Sequence, residues 1–360
     1  MKLVGISLQY FRNYQQKSFL FPQQTTVIVG ENAQGKTSII EAITALSTGE
    51  SLRAEKVEEM IQFDQEIARV KGKVLYQKNT EDERKEEEVD LDLTLTRGLL
   101  GGKKVQTRIY AVNGVNRRKK DFVGHFFTVA FRPEDMRLVE GSPSRRREFI
   151  DTVLAITDRE YASSLKTYED GLKRRNKLLQ QVREGFASRT VLSYWTNLLL
   201  KHGKIVQDKR INFFATFMSV SFPVSFELAY EPSVISEARL TQYEVAEVAA
   251  GHTLIGPHKD DFSVQLLFDS TMRNIAHYGS RGQQRLAVLW LKVCELSFLK
   301  EQTQQIPVLL LDDILSELDK GHRHDVLSLL QHGQAIVTTT EERVVDEIKA
   351  YVAEVDIIRL

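Results

Sequence analysis

The order of apolar and polar positions divides the chain into strands and helices. Ile6, Leu8 and Phe11 lead to a turn at Arg12-Asn13-Tyr14, and the short run Thr26-Val27-Ile28-Val29 ends at Gly30, which predicts a buried strand. Ile39, Ile40, Ile43 and Leu46 then share one face of a helix predicted over 35–47. Residues 67–131 read as an antiparallel β-region: Val89 to Leu95 alternates with period two, and Asn113-Gly114 signals a hairpin turn. Over 134–220 the pattern is helical, with long helices at Glu160–Arg183 and Thr190–Ser219 broken near Gly185. The second would hold about 30 residues, roughly 45 Å. Residues 224–270 are mixed, with a turn at Gly256-Pro257, and 280–300 reads as helix. The tail alternates: strand Val308–Asp312, helix Lys320–Gln331, strand Ala335–Thr339, helix Glu341–Ala350, strand Glu354–Ile358. Strand–helix alternation of this kind implies a parallel sheet and an α/β class.

Composition adds limits. The chain has 360 residues, 42% hydrophobic and 27% charged, an ordinary globular make-up with length for two or three domains. Lys+Arg is 49 and Asp+Glu is 49, so the net charge is zero. That balance speaks against a nucleic-acid partner only as an average. Residues 81–92 hold eight acids and two bases, which leaves the rest of the chain positive, with its bases clustered. The single cysteine, Cys294, excludes an internal disulfide and a cysteine zinc site and fits a reducing compartment. The first residues lack the apolar core of a signal peptide, and no run of apolar residues is long enough to span a bilayer. The expected location is the cytoplasm, with no membrane partner.

The clearest chemistry is a phosphate site. Gly30-Glu31-Asn32-Ala33-Gln34-Gly35-Lys36-Thr37 fits G-x-x-x-x-G-K-[ST] and lies between a predicted strand and a predicted helix. Its glycines let backbone N–H groups converge on phosphate oxygens, and the helix start, Ser38 included, adds a favourable dipole. Lys36 is expected to reach the β- and γ-phosphates of ATP, and Thr37 to hold Mg2+. A second metal carboxylate comes from Val308-Leu309-Leu310-Leu311-Asp312-Asp313: Asp312 would bind Mg2+, leaving Asp313 to orient or deprotonate the attacking water. A GTPase fits poorly, because Asn176-Lys177-Leu178-Leu179 lacks the aspartate of the guanine-reading motif.

Tyr278-Gly279-Ser280-Arg281-Gly282-Gln283-Gln284 precedes a helix and the acidic strand. It resembles the Leu-Ser-Gly-Gly-Gln signature of ABC-type ATPases, with Ser280, Gly282 and Gln283 matching and Arg281 replacing a glycine. Ser316-Glu317-Leu318-Asp319 resembles the D-loop that follows the acidic strand there. The resemblance implies that the signature of one subunit binds the γ-phosphate held by another, so that ATP clamps a homodimer, with Asp319 also at the nucleotide. More than half the chain separates Lys36 from Ser280, unlike the compact spacing of transporter ATPases, and the helical pair is too short for the arm of a chromosome-structure ATPase. One departure stands out: Ala335-Ile336-Val337-Thr338-Thr339-Thr340 carries threonines where transporters carry a switch histidine. His258 and His277 are expected to be structural rather than replacements.

Further segments narrow the match: Phe11-Arg12-Asn13-Tyr14, Phe131-Arg132-Pro133-Glu134-Asp135 onward to Pro143, Arg145-Arg146-Arg147-Glu148-Phe149-Ile150-Asp151, and Gly256-Pro257-His258-Lys259-Asp260-Asp261. In order and spacing the chain resembles the RecF family of bacterial recombination mediators. The resemblance implies an ABC-type ATPase head with an inserted helical lobe and no long coiled coil. It partitions the chain into an ATPase lobe at 1–133, a helical lobe at 134–250, and a part at 251–360 that completes the ATPase core. It also implies a weak, DNA-stimulated ATPase acting at single-strand/double-strand junctions, with RecR and RecO as partners in loading RecA, and it leaves Arg12 or Asn13 near the nucleotide. Candidate DNA contacts are Lys173, Arg174, Arg175 and Lys177, then Arg117 and Arg118; part of Arg145 to Arg147 is expected to be structural. The alternatives are a transporter ATPase subunit and an ATP-switched scaffold without significant hydrolysis.

Overall fold

A computed structural model describes residues 1–79, 84–268, 271–317 and 320–360. The chain forms two compact units, Met1–Asp135 with Leu291–Leu360, and Met136–Trp290. The expected third part is therefore divided: 251–290 belongs with the helical unit, and the remainder with the ATPase unit.

The first unit is built around one helix. Five parallel strands lie in the order Thr128–Phe131, Val308–Asp312, Ala335–Thr339, Thr25–Val29, Val355–Arg359. Six antiparallel strands form a second sheet, in the order Tyr14–Leu20, Lys2–Phe11, Ile67–Asn79, Arg84–Thr96, Arg108–Val112, Val115–Arg117. Helix Lys36–Thr48 is buried along almost its whole length, because its apolar residues meet both sheets. Ile39, Ile40, Ile43 and Leu46 share one core with Leu3, Leu8, Val70 and Val74 of the antiparallel sheet and with Ile28, Leu310 and Ile336 of the parallel one. Gly72 permits this approach: a Cβ there would lie 2.5 Å from the Leu46 side chain. The hairpin at Asn113-Gly114 forms as expected, with both residues at positive φ, 51° and 74°.

One assignment changes. Thr128–Phe131, read as the end of the antiparallel region, pairs in parallel with Val308–Asp312. Every residue of it is buried, and Val129 to Phe131 are apolar in succession, as in strands covered on both faces.

The second unit holds helices Pro143–Thr157, Arg159–Arg183, Ser193–Phe217 and Glu237–Ala250, and a three-stranded antiparallel sheet of Phe226–Glu231, Asp261–Phe268 and Thr271–Asn274. The second long helix is shorter than expected, at 25 residues, because Arg189–Leu192 forms a separate tight turn. The long helices approach closely at Gly171, where a Cβ would meet the Leu198 side chain at 2.5 Å. Phe149, Phe213, Phe214, Phe217, Phe262 and Trp290 stack into an aromatic core.

A buried ion network ties this unit together. Arg210, 1% exposed, donates to Asp260 at 2.9 Å, Asp151 at 2.7 Å and the Pro257 carbonyl at 2.7 Å. Asp260 also accepts from Gln207, Tyr230 and Ser233, so its carboxylate is fully partnered. Arg146 forks onto Asp261 at 2.6 and 2.8 Å, and Arg147 donates to the Asp260 carbonyl. Arg146, Arg147, Asp151, Asp260 and Asp261 thus serve the framework of this unit, whereas Arg145 pairs with Glu148 at the surface.

Candidate functional site

Strand Thr25–Val29 delivers the chain to Gly30, whose N–H bonds to the Thr339 carbonyl at 3.2 Å. The loop then winds through Ala33 at φ 68° and Gly35 at φ 104°. Left-handed residues at such spacing turn successive amides toward one concavity suited to an anion. Gly35 is required twice over: besides its φ, a Cβ would lie 2.5 Å from Asn13 Nδ2 and 2.7 Å from the Tyr14 hydroxyl. Those two side chains brace the loop by donating to the Gln34 carbonyl at 3.2 and 3.4 Å. From inside, Gln34 Oε1 accepts the Glu31 N–H at 2.7 Å.

The helix starts at Lys36, and its first intrahelical bond runs from Ile39 N to the Gly35 carbonyl, so the amides of Lys36, Thr37 and Ser38 precede it. No acid lies in its first turn. Lys36 is buried, with its ammonium donating to the carbonyls of Gly30 and Glu31 at 2.8 Å each.

Asp312 ends its strand one strand away, with Ala335–Thr339 between it and the strand of the phosphate loop. Its Oδ1 accepts from Thr37 Oγ1 at 3.2 Å and from Thr338 Oγ1 at 2.7 Å. Burial pushes this carboxyl above the usual carboxylate range, and the charges of Glu134 and Asp313 push the same way. A cation would relieve that. A buried carboxylate and a hydroxyl at this separation are hard oxygen donors of the kind Mg2+ takes alongside substrate phosphates, so the residues fit the ion.

Asp313 has φ 53° and binds Thr338 through its amide; its carboxylate accepts from Ser316 Oγ at 3.2 Å. Thr37 and Asp312 share a pocket with Glu41, Thr44, Arg132 and Glu134. Arg132 is held there by Asp135 at 3.0 Å, and Glu41 by a two-pronged bond from Arg12 at 2.7 and 2.8 Å. Arg132 and Glu134, present above only as motif residues, line this pocket, and Thr338, noted above only as a departure, bonds Asp312; Arg12, expected near the nucleotide by resemblance, reaches the pocket through Glu41. Asp319 lies outside the described residues.

Ser280 and Gln283 form a reciprocal cap at the start of helix Arg281–Thr303: the Ser280 amide donates to Gln283 Oε1 at 2.8 Å, and the Gln283 amide to Ser280 Oγ at 3.3 Å. Gly282 follows in the first turn, and Arg281 pairs with Glu140. His258 is structural, bonded to the Tyr168 hydroxyl at 2.7 Å and the Thr253 carbonyl at 3.1 Å.

The basic clusters separate. Lys173, Arg174 and Lys177 are exposed, as are Arg117 and Arg118. Arg175 does not belong with them. It is buried, donating to Glu247 at 2.7 Å and Thr253 at 2.8 Å, so its charge is neutralised inside the unit and unavailable to a phosphate backbone.

A phosphate loop and an acidic strand on a parallel sheet, backed by an antiparallel sheet and accompanied by a helical unit, define an ABC/SMC-like ATPase head. The family model for the RecF/RecN/SMC N terminal domain matches residues 2–356. The DNA replication and repair protein RecF of Oceanobacillus iheyensis is 32% identical, covering 94% of both chains, and that of Bacillus cytotoxicus is 33% identical, covering 94% of this chain and 92% of its own. A solved structure of the recombination mediator protein RecF-ATPrS in the RecFOR pathway superposes with TM-score 0.82 at 30% identity, covering 95% of this chain and 93% of that one. An Smc head domain from Pyrococcus furiosus, at 17% identity and TM-score 0.50, shares the fold. The chain belongs to the RecF family.

Proposed function

We propose that this chain is an ATP-dependent DNA-binding protein of replication and recombinational gap repair, a weak ATPase that closes into a homodimer on ATP and opens as ATP is hydrolysed. The observation that carries the reading is the meeting of Thr37 Oγ1 and Asp312 Oδ1 at 3.2 Å beside the phosphate loop. The loop amides and Lys36 receive the phosphates, the ammonium exchanging the carbonyls of Gly30 and Glu31 for phosphate oxygens. Thr37 and Asp312 would hold Mg2+, which when bound neutralises phosphate charge. Asp313 orients the attacking water, its carboxylate set by Ser316. Ser280, Gly282 and Gln283 act across the dimer: Ser280 Oγ accepts the Gln283 amide, which leaves its own proton to donate to a γ-phosphate. Asp319 joins them by family resemblance.

Solved relatives described as RecF-ATP and RecF-ATPrS in the RecFOR pathway support ATP as the nucleotide. By the same route RecR and RecO are the partners in loading RecA at junctions, in the cytoplasm. Family membership sets the transporter-subunit alternative aside. Light scattering of the purified chain with ATP and Mg2+, with and without duplex DNA, tests the reading. The mass should double with ATP; a mass that stays monomeric throughout sinks it. Phosphate release with DNA present separates a slow ATPase from a non-hydrolysing scaffold.

A further inference from the structure

We propose that the connecting end of the long helix pair is a base-stacking site for DNA that carries unpaired bases. This rests on the DNA-binding reading above and adds the part of the DNA that is recognised. Arg159–Arg183 and Ser193–Phe217 are joined by a short connection on which Phe186 is 81% exposed, and Tyr194, in the first turn of the second helix, is 68% exposed. The Tyr194 ring meets that of Trp195 edge to face, with centroids 5.0 Å apart. These rings are presented by ordered backbone. Phe186 N bonds to the Gln181 carbonyl at 2.8 Å, Gly185 N to the Val182 carbonyl at 3.1 Å, and Leu192 anchors the turn by burial. Phe186 and Tyr194 thus leave aromatic faces open to solvent at this end of the helix pair, faces of the kind on which bases stack.

The charge beside them selects a polyanion. Lys173, Arg174 and Lys177 are exposed on the helix that leads to the tip. Near the tip Glu184 lies 3.7 Å from Arg183 and Glu244 lies 3.5 Å from Arg189. Upstream, the exposed Lys166, Lys173, Arg174 and Lys177 outnumber the exposed Glu169 and Asp170 beside them. From Lys177 to the end of the helix is about 9 Å at 1.5 Å per residue. That is about three steps of a duplex strand at 3.4 Å. Cations that track phosphates beside aromatic faces for bases are the two parts of a single-strand binding surface. A blunt duplex offers the cations a backbone but offers the rings nothing.

The test uses fluorescence polarisation of the full chain with ATP and three labelled DNAs: a blunt duplex, the same duplex with a single-stranded tail, and the tail alone. The unaltered chain should favour the tailed duplex over the blunt one. Phe186→Ala with Tyr194→Ala should weaken binding of the tailed duplex and the tail by about 5-fold or more, the lower end of one lost stacking interaction. Blunt-duplex affinity and ATP-dependent mass should not change, and Tyr194→Phe should keep the preference. Lys173→Gln with Lys177→Gln should weaken all three DNAs and flatten the salt dependence. An unchanged preference in the ring variant overturns the proposal. So does loss of ATP-dependent mass in that variant, which would assign the rings to a second copy of the chain. If the unaltered chain binds none of the three DNAs, the DNA-binding reading itself fails.

Discussion

Thr338 donates its hydroxyl to Asp312 and receives the amide of Asp313, so one side chain sets both acids at the end of their strand. A threonine there cannot titrate, and pH dependence must arise elsewhere. His258 is one source. Burial chiefly lowers its pKa from 6.5 to about 4; Lys259 and Arg147 lower it further, while Asp260 and the Thr253 carbonyl oppose them. The sign follows from the neutral ring being favoured in the fold. Above pH 6.5 the ring is neutral in folded and unfolded chains alike; between 6.5 and about 4 only the unfolded chain takes up the proton, so stability falls across that window as pH drops. Urea midpoints at intervals from pH 7 to 4.5 should show this decline, and His258→Gln should flatten it. A second residue-scale prediction concerns Arg210. Arg210→Met leaves Asp260 buried, so it should cost about 3–5 kcal/mol, as breaking one side of a buried pair does. Denaturant unfolding measures it, and a loss near zero would mean that the network is not shared as described. At the nucleotide, Lys36→Met should abolish ATP binding in calorimetry while leaving the unfolding midpoint nearly unchanged, because Lys36 bonds only to loop carbonyls.

Elements carry the next level of constraint. The hairpin turn at Asn13 and Tyr14 supports the phosphate loop from the antiparallel sheet, a contact between segments twenty residues apart that no periodicity foretells. Gly35→Ala should therefore disturb the loop twice, through about 1–2 kcal/mol of left-handed backbone cost and through the clash with both braces. The expected outcome is weaker ATP binding with little change in far-ultraviolet circular dichroism; unchanged affinity would mean the braces yield freely. The parts of the fold legible beforehand were those with local signals: the strand–loop–helix of the phosphate site, the apolar run ending at Asp312, the Asn113-Gly114 hairpin. What stayed hidden depends on partners distant in the chain. Thr128–Phe131 reads as any short apolar strand until Val308–Asp312 lies beside it. Arg175 looks like its exposed neighbours until Glu247 and Thr253 close on it. The role of the Gly256-to-Asp261 motif appears only when Arg210 and Asp151 are brought to Asp260.

For the whole molecule, the zero net charge conceals an uneven distribution, and the proposed dimer makes that distribution conditional. Exposed bases at Lys173, Arg174 and Lys177 on one copy are too few to hold duplex DNA firmly at physiological salt, since each neutralised phosphate contributes a modest, salt-sensitive share. Two copies clamped by ATP double the number of bases presented together, so affinity and its salt slope should both rise when the dimer forms. Asp313→Asn isolates that link. If Asp313 orients the water, the variant retains Lys36, Thr37 and Asp312 and should bind ATP, dimerise and then fail to open. Light scattering should show a persistent dimer, and phosphate release should fall by an order of magnitude or more. Its salt slope for duplex DNA should be steeper with ATP than without, and should remain so long after free ATP is removed. The unaltered chain should lose the steeper slope as ATP is consumed. A variant that stays monomeric with ATP would break the chain of inference at the shared site. A variant that dimerises without steepening the slope would break it at the DNA surface, and the bases that bind duplex would then have to be sought within a single copy, at Arg117 and Arg118.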